Sequence, residues 1–169
     1  MPEGWNETCV VLIPKVKDPD SMKDLRPISL CNVVYKLVSK VLANRLKKIL
    51  LEIISPNQSA FVPGRLITDN VLLAYEINHL MHKRKGGRDG FVAVKLDMSK
   101  AYDQVEWEFL ECMMRKMGFG ELWIGTIMKC VRSVKYRVKV NRNLTDLFVP
   151  ERGLHQGDPL SPYLFIMCA

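Results

Sequence analysis

Between residues 33 and 54 apolar side chains return every three or four positions: Val34, Leu37, Val38, Val41, Leu42, Leu46, Ile49, Leu50 and Ile53. That period predicts one amphipathic helix, with Lys36, Lys40, Arg45, Lys47 and Lys48 on its remaining surface. A second helix is expected from Thr68 or Asp69, either of which can cap it, to about Lys83. A third runs from about Val105 to Met117 and stops at Gly118-Phe119-Gly120, and a fourth covers 122–131. Strict alternation marks 135–140 (KYRVKV) as a half-buried strand, followed by a turn at NRNL and a return strand over 147–149. Residues 8–15 (TCVVLIPK) form a short apolar strand stopped by Pro14. Residues 91–97 (FVAVKLD) look like a buried strand that ends on a carboxylate. A last helix opens at Ser161, after the Gly- and Pro-marked loop ERGLHQGDPLSP. The stretches VKDPDSMKDLRPISL, SPNQSAFVPGR and HKRKGGRDG break the periodicity and read as connections, the last a basic hairpin or loop.

Composition narrows the picture without deciding it. The 169 residues suit one domain or a large piece of one, and 48% hydrophobic against 25% charged residues is an ordinary globular balance. The net charge of +7 favours a polyanionic partner, although a merely basic soluble protein has the same total. Five scattered cysteines, none in C-x-x-C spacing, argue against a disulfide framework or a structural zinc site. They fit a reducing nuclear or cytoplasmic setting. The polar opening MPEGWNE is not a signal peptide, and no apolar run approaches the roughly 20 residues of a membrane span, so no membrane partner is expected. His79 and His82 sit at i, i+3 but have no partners in a ligand array, so a surface or groove position is expected.

Four groups of residues could carry chemistry. Asp97, at a strand end, is a hard oxygen ligand suited to Mg²⁺, or equally a helix cap contributing about 1 kcal/mol. Tyr102, five residues on, is by itself an ordinary core aromatic. In His155-Gln156-Gly157-Asp158-Pro159, Gln156 offers hydrogen bonds and Gly157 close backbone approach, yet alone the loop is a helix entry. Lys15 and Arg26 flank a loop from which a point charge and a guanidinium fork could clamp phosphates; taken separately, each is a solvated charge.

Their order is more specific than any one of them. "LIPK…RPISL", "SAFVPGR", "KLDMSKAYD" and "GLHQGDPLSPYLF" follow one another as in the reverse transcriptase of non-LTR (LINE-type) retrotransposons, which the chain resembles over nearly its whole length, most like plant members. The resemblance implies an α+β right-hand polymerase, with residues 1–90 as fingers and 91–169 as a partial palm whose antiparallel sheet is packed with helices. It implies that Asp97, with the backbone carbonyl of Met98, binds two catalytic Mg²⁺ ions, for which Mn²⁺ can substitute. Tyr102, where many members carry Phe, would lie under the incoming sugar and exclude a 2′-hydroxyl. Lys15, Arg26, Gln156 and Gly157 would line the nucleotide pocket, and Arg65 would touch template or nucleotide from the fingers; Lys40 and Lys47, on the basic surface of the first helix, are either a solvated face or contacts to nucleic-acid phosphates. The partners implied are an RNA template, a DNA primer and a deoxynucleoside triphosphate.

The family carries a second carboxylate cluster, an aromatic-Ala-Asp-Asp hairpin after the HQGDP helix, and no Asp-Asp doublet occurs among the 169 residues. The expectation is therefore a fragment, truncated before that hairpin and inactive alone, with a catalytically silent nucleic-acid-binding module as the alternative. A metabolic Mg²⁺ enzyme would leave Lys15, Arg26 and HQGDP without roles. The architecture expected is a palm strand ending at Asp97, paired antiparallel with 135–140 or its return strand. Asp97, Tyr102 and Gln156 should face one cleft.

Overall fold

The structure is a computed structural model that describes residues 2, 4–84 and 91–169. The basic HKRKGGRDG connection falls largely outside the described residues. Strand β1 (Glu7–Pro14) buries alternate side chains, Thr8 and Val10, as period-two patterning requires. It pairs antiparallel with β2 (Leu25–Cys31), from Thr8↔Cys31 to Pro14↔Leu25. Its other edge takes β3 (Lys135–Val140) in parallel, Glu7 opposite Lys135, and β3 pairs in turn with the short β4 (Asn143–Leu144). The sheet order is thus β2-β1-β3-β4, and the sheet joins strands from both sides of residue 90. Asn141 and Arg142 form the β3–β4 turn with φ of 49° and 70°, the left-handed pair that a two-residue hairpin needs. The expected return strand over 147–149 is reduced to one bridge, Tyr136 opposite Phe148.

Helices pack the core: α1 (Val33–Lys47), α2 (Leu50–Ile53), α4 (Trp107–Lys116), α5 (Glu121–Arg132) and α6 (Ser161–Cys168), with α3 (Ile67–Lys83) apart from it. The Asn32 side chain accepts from the Val34 N–H at 3.0 Å and caps α1. The long helix expected over 33–54 breaks at 48–49. There the Lys48 and Ile49 amides bond back three residues to Arg45 and Leu46, a tightened last turn between the buried Leu46 and Leu50. The buried stripe of α1 is also rotated from the expected one. Tyr35, Ser39, Leu42, Ala43 and Leu46 point inward, and Leu37 and Val41 are exposed. Helix α4 ends as its Gly-Phe-Gly predicts: Gly118 has φ 83°, its amide bonds Arg115, and the Phe119 amide bonds Met114 at 3.1 Å, a Schellman motif. Leu110 and Met114 of α4 meet Ile124 and Ile127 of α5 and Leu164 of α6 in the core.

Two further expectations are corrected. Helix α3 begins at Ile67 after Leu66, with no side-chain cap from Thr68 or Asp69, and none of its residues is buried. Residues 91–98 form no strand. Val92, Val94 and Leu96 are 74–86% exposed, and neither edge of β3 receives the segment, because β1 and β4 hold them. Apolar alternation shows that a segment can pair; its partner must come from elsewhere in the chain, and periodicity does not name it.

Candidate functional site

The β1–β2 register sets Ile13 opposite Arg26, so Lys15 and Arg26 emerge at the same end of a hairpin. The hairpin tip is closed by its own bonds. The Lys15 amide donates to the Asp24 carbonyl at 2.7 Å, its Nζ donates to the Lys23 carbonyl at 2.8 Å, and Asp24 accepts from both the amide and hydroxyl of Ser21 at 3.0 Å. Lys15, Lys23, Arg26, Lys100, Asp103 and Gln156 line one cavity of about 480 Å³. Four cations against one carboxylate is a lining suited to a polyphosphate, with Arg26 offering the bidentate fork and the lysines point charges.

Gln156 enters this cavity because its loop is tied to the sheet. The Ser29 N–H in β2 donates to the Gln156 carbonyl at 3.2 Å, which extends the hydrogen bonding of the strand onto the loop. Gly157 follows with φ 101°, and a Cβ there would stand 3.3 Å from the Ser29 carbonyl, so a side chain would be strained and tight against the strand. The segment carrying Tyr102 is strapped to the same loop: the Leu154 amide bonds the Tyr102 carbonyl at 2.9 Å, the Gly153 amide bonds that of Val105 at 2.8 Å, and Trp107 Nε1 bonds that of Gly153 at 2.8 Å. A neighbouring cavity of about 600 Å³ is lined by Lys40, Tyr102, Gln156, Gly157 and Tyr163. The Tyr102 ring stacks on Phe165 at 4.7 Å, and burial pushes its hydroxyl pKa up. A planar, neutral ring is therefore presented beside Gln156.

Behind the loop the chemistry is buried. Asp158 Oδ2 accepts from the Tyr35 and Ser161 hydroxyls, each at 3.3 Å. Burial pushes the Asp158 carboxyl up, while the hydrogen bonds from the Ser161 and Tyr35 hydroxyls draw it back. Burial lowers the His155 imidazole to about 4. Its Nδ1 lies 3.7 Å from the Cys31 thiol, and its ring lies 5.0 Å from that of Tyr136 and 5.8 Å from that of Tyr35.

The fold thus brings Lys15, Arg26 and Gln156 to one cavity and Lys40, Tyr102, Gln156 and Gly157 to the next. Lys47 Nζ lies 5.4 Å from the centre of the Tyr163 ring, at the margin of the second cavity. Arg65 turns inward and donates to the carbonyls of Ser55, Gln58 and Ile54, which leaves less of its guanidinium for a phosphate. Asp97 and Met98 lie in the exposed 91–98 segment and line neither cavity, so the single cleft expected for Asp97, Tyr102 and Gln156 is formed by the latter two. Lys23, Lys100 and Asp103 join the site beyond the expected set. Lys100 holds the left-handed conformation (φ 52°, ψ 41°), which nothing in the identity of a lysine predicts. Among the described residues no group of three or more His, Cys, Asp or Glu side chains could hold a metal ion, and no helix is long and apolar enough to cross a membrane.

Residues 13–169 match the family described as reverse transcriptase (RNA-dependent DNA polymerase). The chain is 36% identical over 98% of its length to the transposon TX1 uncharacterized 149 kDa protein of Xenopus laevis, covering 12% of that protein. It is 30% identical over 98% of its length to the Pol polyprotein of the type-2 retrotransposable element R2DM of Drosophila melanogaster, covering 15%. It is 32% identical over 97% to that of the type-1 element R2 of Nasonia vitripennis, covering 16%. The chain therefore spans about one-eighth to one-sixth of these relatives.

Proposed function

Since the chain belongs to the reverse transcriptase (RNA-dependent DNA polymerase) family, in the branch carried by non-LTR retrotransposons, we propose that it supplies the pocket for an incoming deoxynucleoside triphosphate during DNA synthesis on an RNA template. The observation that carries this reading is the convergence of Lys15, Arg26 and Gln156 on one cavity, although they lie up to 141 positions apart in sequence. Lys15 and Arg26, joined by Lys23 and Lys100, take the triphosphate charge. Gln156 and Gly157 set the nucleotide against the template side. The Tyr102 ring, held flat on Phe165, is the surface on which a 2′-hydroxyl would collide. Lys40 and Lys47 carry the phosphates of template or primer.

Reverse transcriptases depend on divalent metal ions. Here the hard donors assigned to them are the Asp97 carboxylate and the Met98 carbonyl. They are oxygen donors of the kind Mg²⁺ takes, beside substrate phosphates rather than in an all-protein cage, but in this structure they lie on the exposed 91–98 segment, outside the cavity that Lys15 and Arg26 line. Asp97 and Met98 would hold such an ion, and the chemistry it would supply there is activation of a primer 3′-hydroxyl and charge stabilisation in the displacement. The chain's own residues bind, orient and neutralise. Primer extension is proposed for a longer polypeptide of this family; the 169 residues alone are expected to bind nucleotide without extending a primer.

The test is equilibrium binding of a fluorescent deoxynucleoside triphosphate to the purified chain with Mg²⁺, beside Lys15→Ala, Arg26→Ala and Gln156→Ala. Each is expected to weaken binding at least about fivefold, the loss of roughly 1 kcal/mol that accompanies removal of one charge-assisted contact. Wild-type affinity retained by all three would overturn the nucleotide pocket, and RNA binding kept in that case would favour a nucleic-acid-binding module without catalysis.

A further inference from the structure

We propose that Tyr35 and Asp158 are positioning residues for the nucleotide pocket: the Tyr35 hydroxyl, acting through the Asp158 carboxylate, holds the backbone of Gln156 and Gly157 in place from behind. The inference rests on the nucleotide reading of that loop. Its support is separate: Tyr35 lines neither of the two cavities, and Asp158 borders only the one shared with Lys40 and Tyr102, not the one that Lys15 and Arg26 line.

The loop is anchored on two sides. In front, the Ser29 amide takes the Gln156 carbonyl at 3.2 Å. Behind, Asp158 receives the Tyr35 hydroxyl from α1, 123 positions away in sequence, and the Ser161 hydroxyl from the first turn of α6. Gly157 stands between the anchors with φ 101° and no side chain of its own to fix it. Where Gln156 points is therefore set by the two anchors. Capping α6 would need Ser161 and Asp158 only. The bond from Tyr35 serves a different purpose, since it couples α1 to the loop.

The cluster is also costlier than packing alone requires. Asp158 and Tyr35 are 4% and 2% exposed, and among the described residues no ion pair neutralises the carboxylate. Asp158 Oδ1 and His155 Nε2 are buried without hydrogen-bond partners, and both residues line the same small cavity of about 10 Å³ with Tyr35 and Ser161. An apolar side chain would fill this place at lower cost, whereas buried groups held by directional bonds give one geometry.

The experiment uses the purified chain and its Tyr35→Phe, Asp158→Asn and double variants, with Gln156→Ala as control. Three quantities are read: the ¹⁵N–¹H resonance of Gly157, the affinity for dTTP with Mg²⁺, and the urea midpoint. Tyr35→Phe is expected to displace the Gly157 resonance and weaken dTTP about fivefold or more. The double variant should be no weaker than Asp158→Asn, because the two residues act as one unit. Tyr35→Phe removes a single oxygen and carries the test should Asp158→Asn fail to fold. A Tyr35→Phe variant with a lower urea midpoint, an unmoved Gly157 resonance and unchanged affinity would overturn the proposal in favour of a packing role. If Gln156→Ala binds dTTP like the wild type, the nucleotide reading falls, and displacement of Gly157 by Tyr35→Phe still supports control of the loop from behind.

Discussion

His155 adjoins the residue that enters the pocket, and its buried ring makes the loop sensitive to acid. Its pKa lies at about 4 in the fold against 6.5 for the ordinary side chain. A lowered value means that the folded state binds the proton less well than the unfolded one. The neutral ring therefore contributes its stability in full above about pH 6.5 and loses it as the pH falls towards 4. At about 1.4 kcal/mol for each pKa unit, the loss reaches roughly 3 kcal/mol. Asp158 has the opposite sign: its raised carboxyl contributes most below its ordinary 3.8 and loses that contribution as pH rises through the raised value, which blunts the net slope. Thermal unfolding followed from pH 7.5 to 4.5 should show stability falling with acid, and His155→Gln should flatten the curve. Parallel curves for the two proteins would refute the assignment. Gly157→Ala tests the same loop from its backbone. A φ of 101° and the Ser29 carbonyl 3.3 Å from any added Cβ predict a loss of about 1–3 kcal/mol, read as a lower melting temperature together with weaker dTTP binding.

Stability is unevenly shared among the elements. Helices α4, α5 and α6 bury Leu110, Met114, Ile124, Ile127 and Leu164 almost completely against one another. Leu110→Ala is expected to destabilise the chain by about 2–5 kcal/mol, measured by urea unfolding. Helix α3 has Val71, Leu72, Tyr75 and Leu80 exposed and no buried residue, so its hydrogen bonds lack the packing that slows opening. In hydrogen exchange the amides of α3 should go well before those of α5; equal protection would mean that α3 packs against something in solution. The salt bridges of Arg115 with Glu111 and Glu121 lie at the surface and contribute little to this ranking.

At the scale of the whole molecule, a net charge of +7 predicts attraction to nucleic acid that weakens with salt, as counterions released from phosphates are restored. Single-stranded RNA binding, followed by fluorescence anisotropy between about 50 and 200 mM salt, should fall steeply. Lys40→Glu with Lys47→Glu should weaken binding and make that dependence shallower. Binding indifferent to salt would remove these lysines from the interface.

Local pattern was enough for much of this chain. The strand that ends at Pro14, the terminus of α4 at Gly118, α5, and the helix entry at Ser161 each depend on residues within a turn or two, where propensity and capping act. The ordered blocks also named Lys15, Arg26, Tyr102, Gln156 and Gly157 as a set, and the fold brings these to two adjoining cavities. Tertiary structure alone decided which stripe of α1 faces inward, because Tyr35 and Ser39 turn towards the buried Asp158 while Leu37 and Val41 remain outside. It alone decided that Lys23, Lys100 and Asp103 share the phosphate-sized cavity, and that the apolar run before Asp97 lies exposed and not in the sheet. A hydrophobic period records a segment's capacity to be buried, whereas burial itself requires a partner brought from a distance, and only the folded chain selects one.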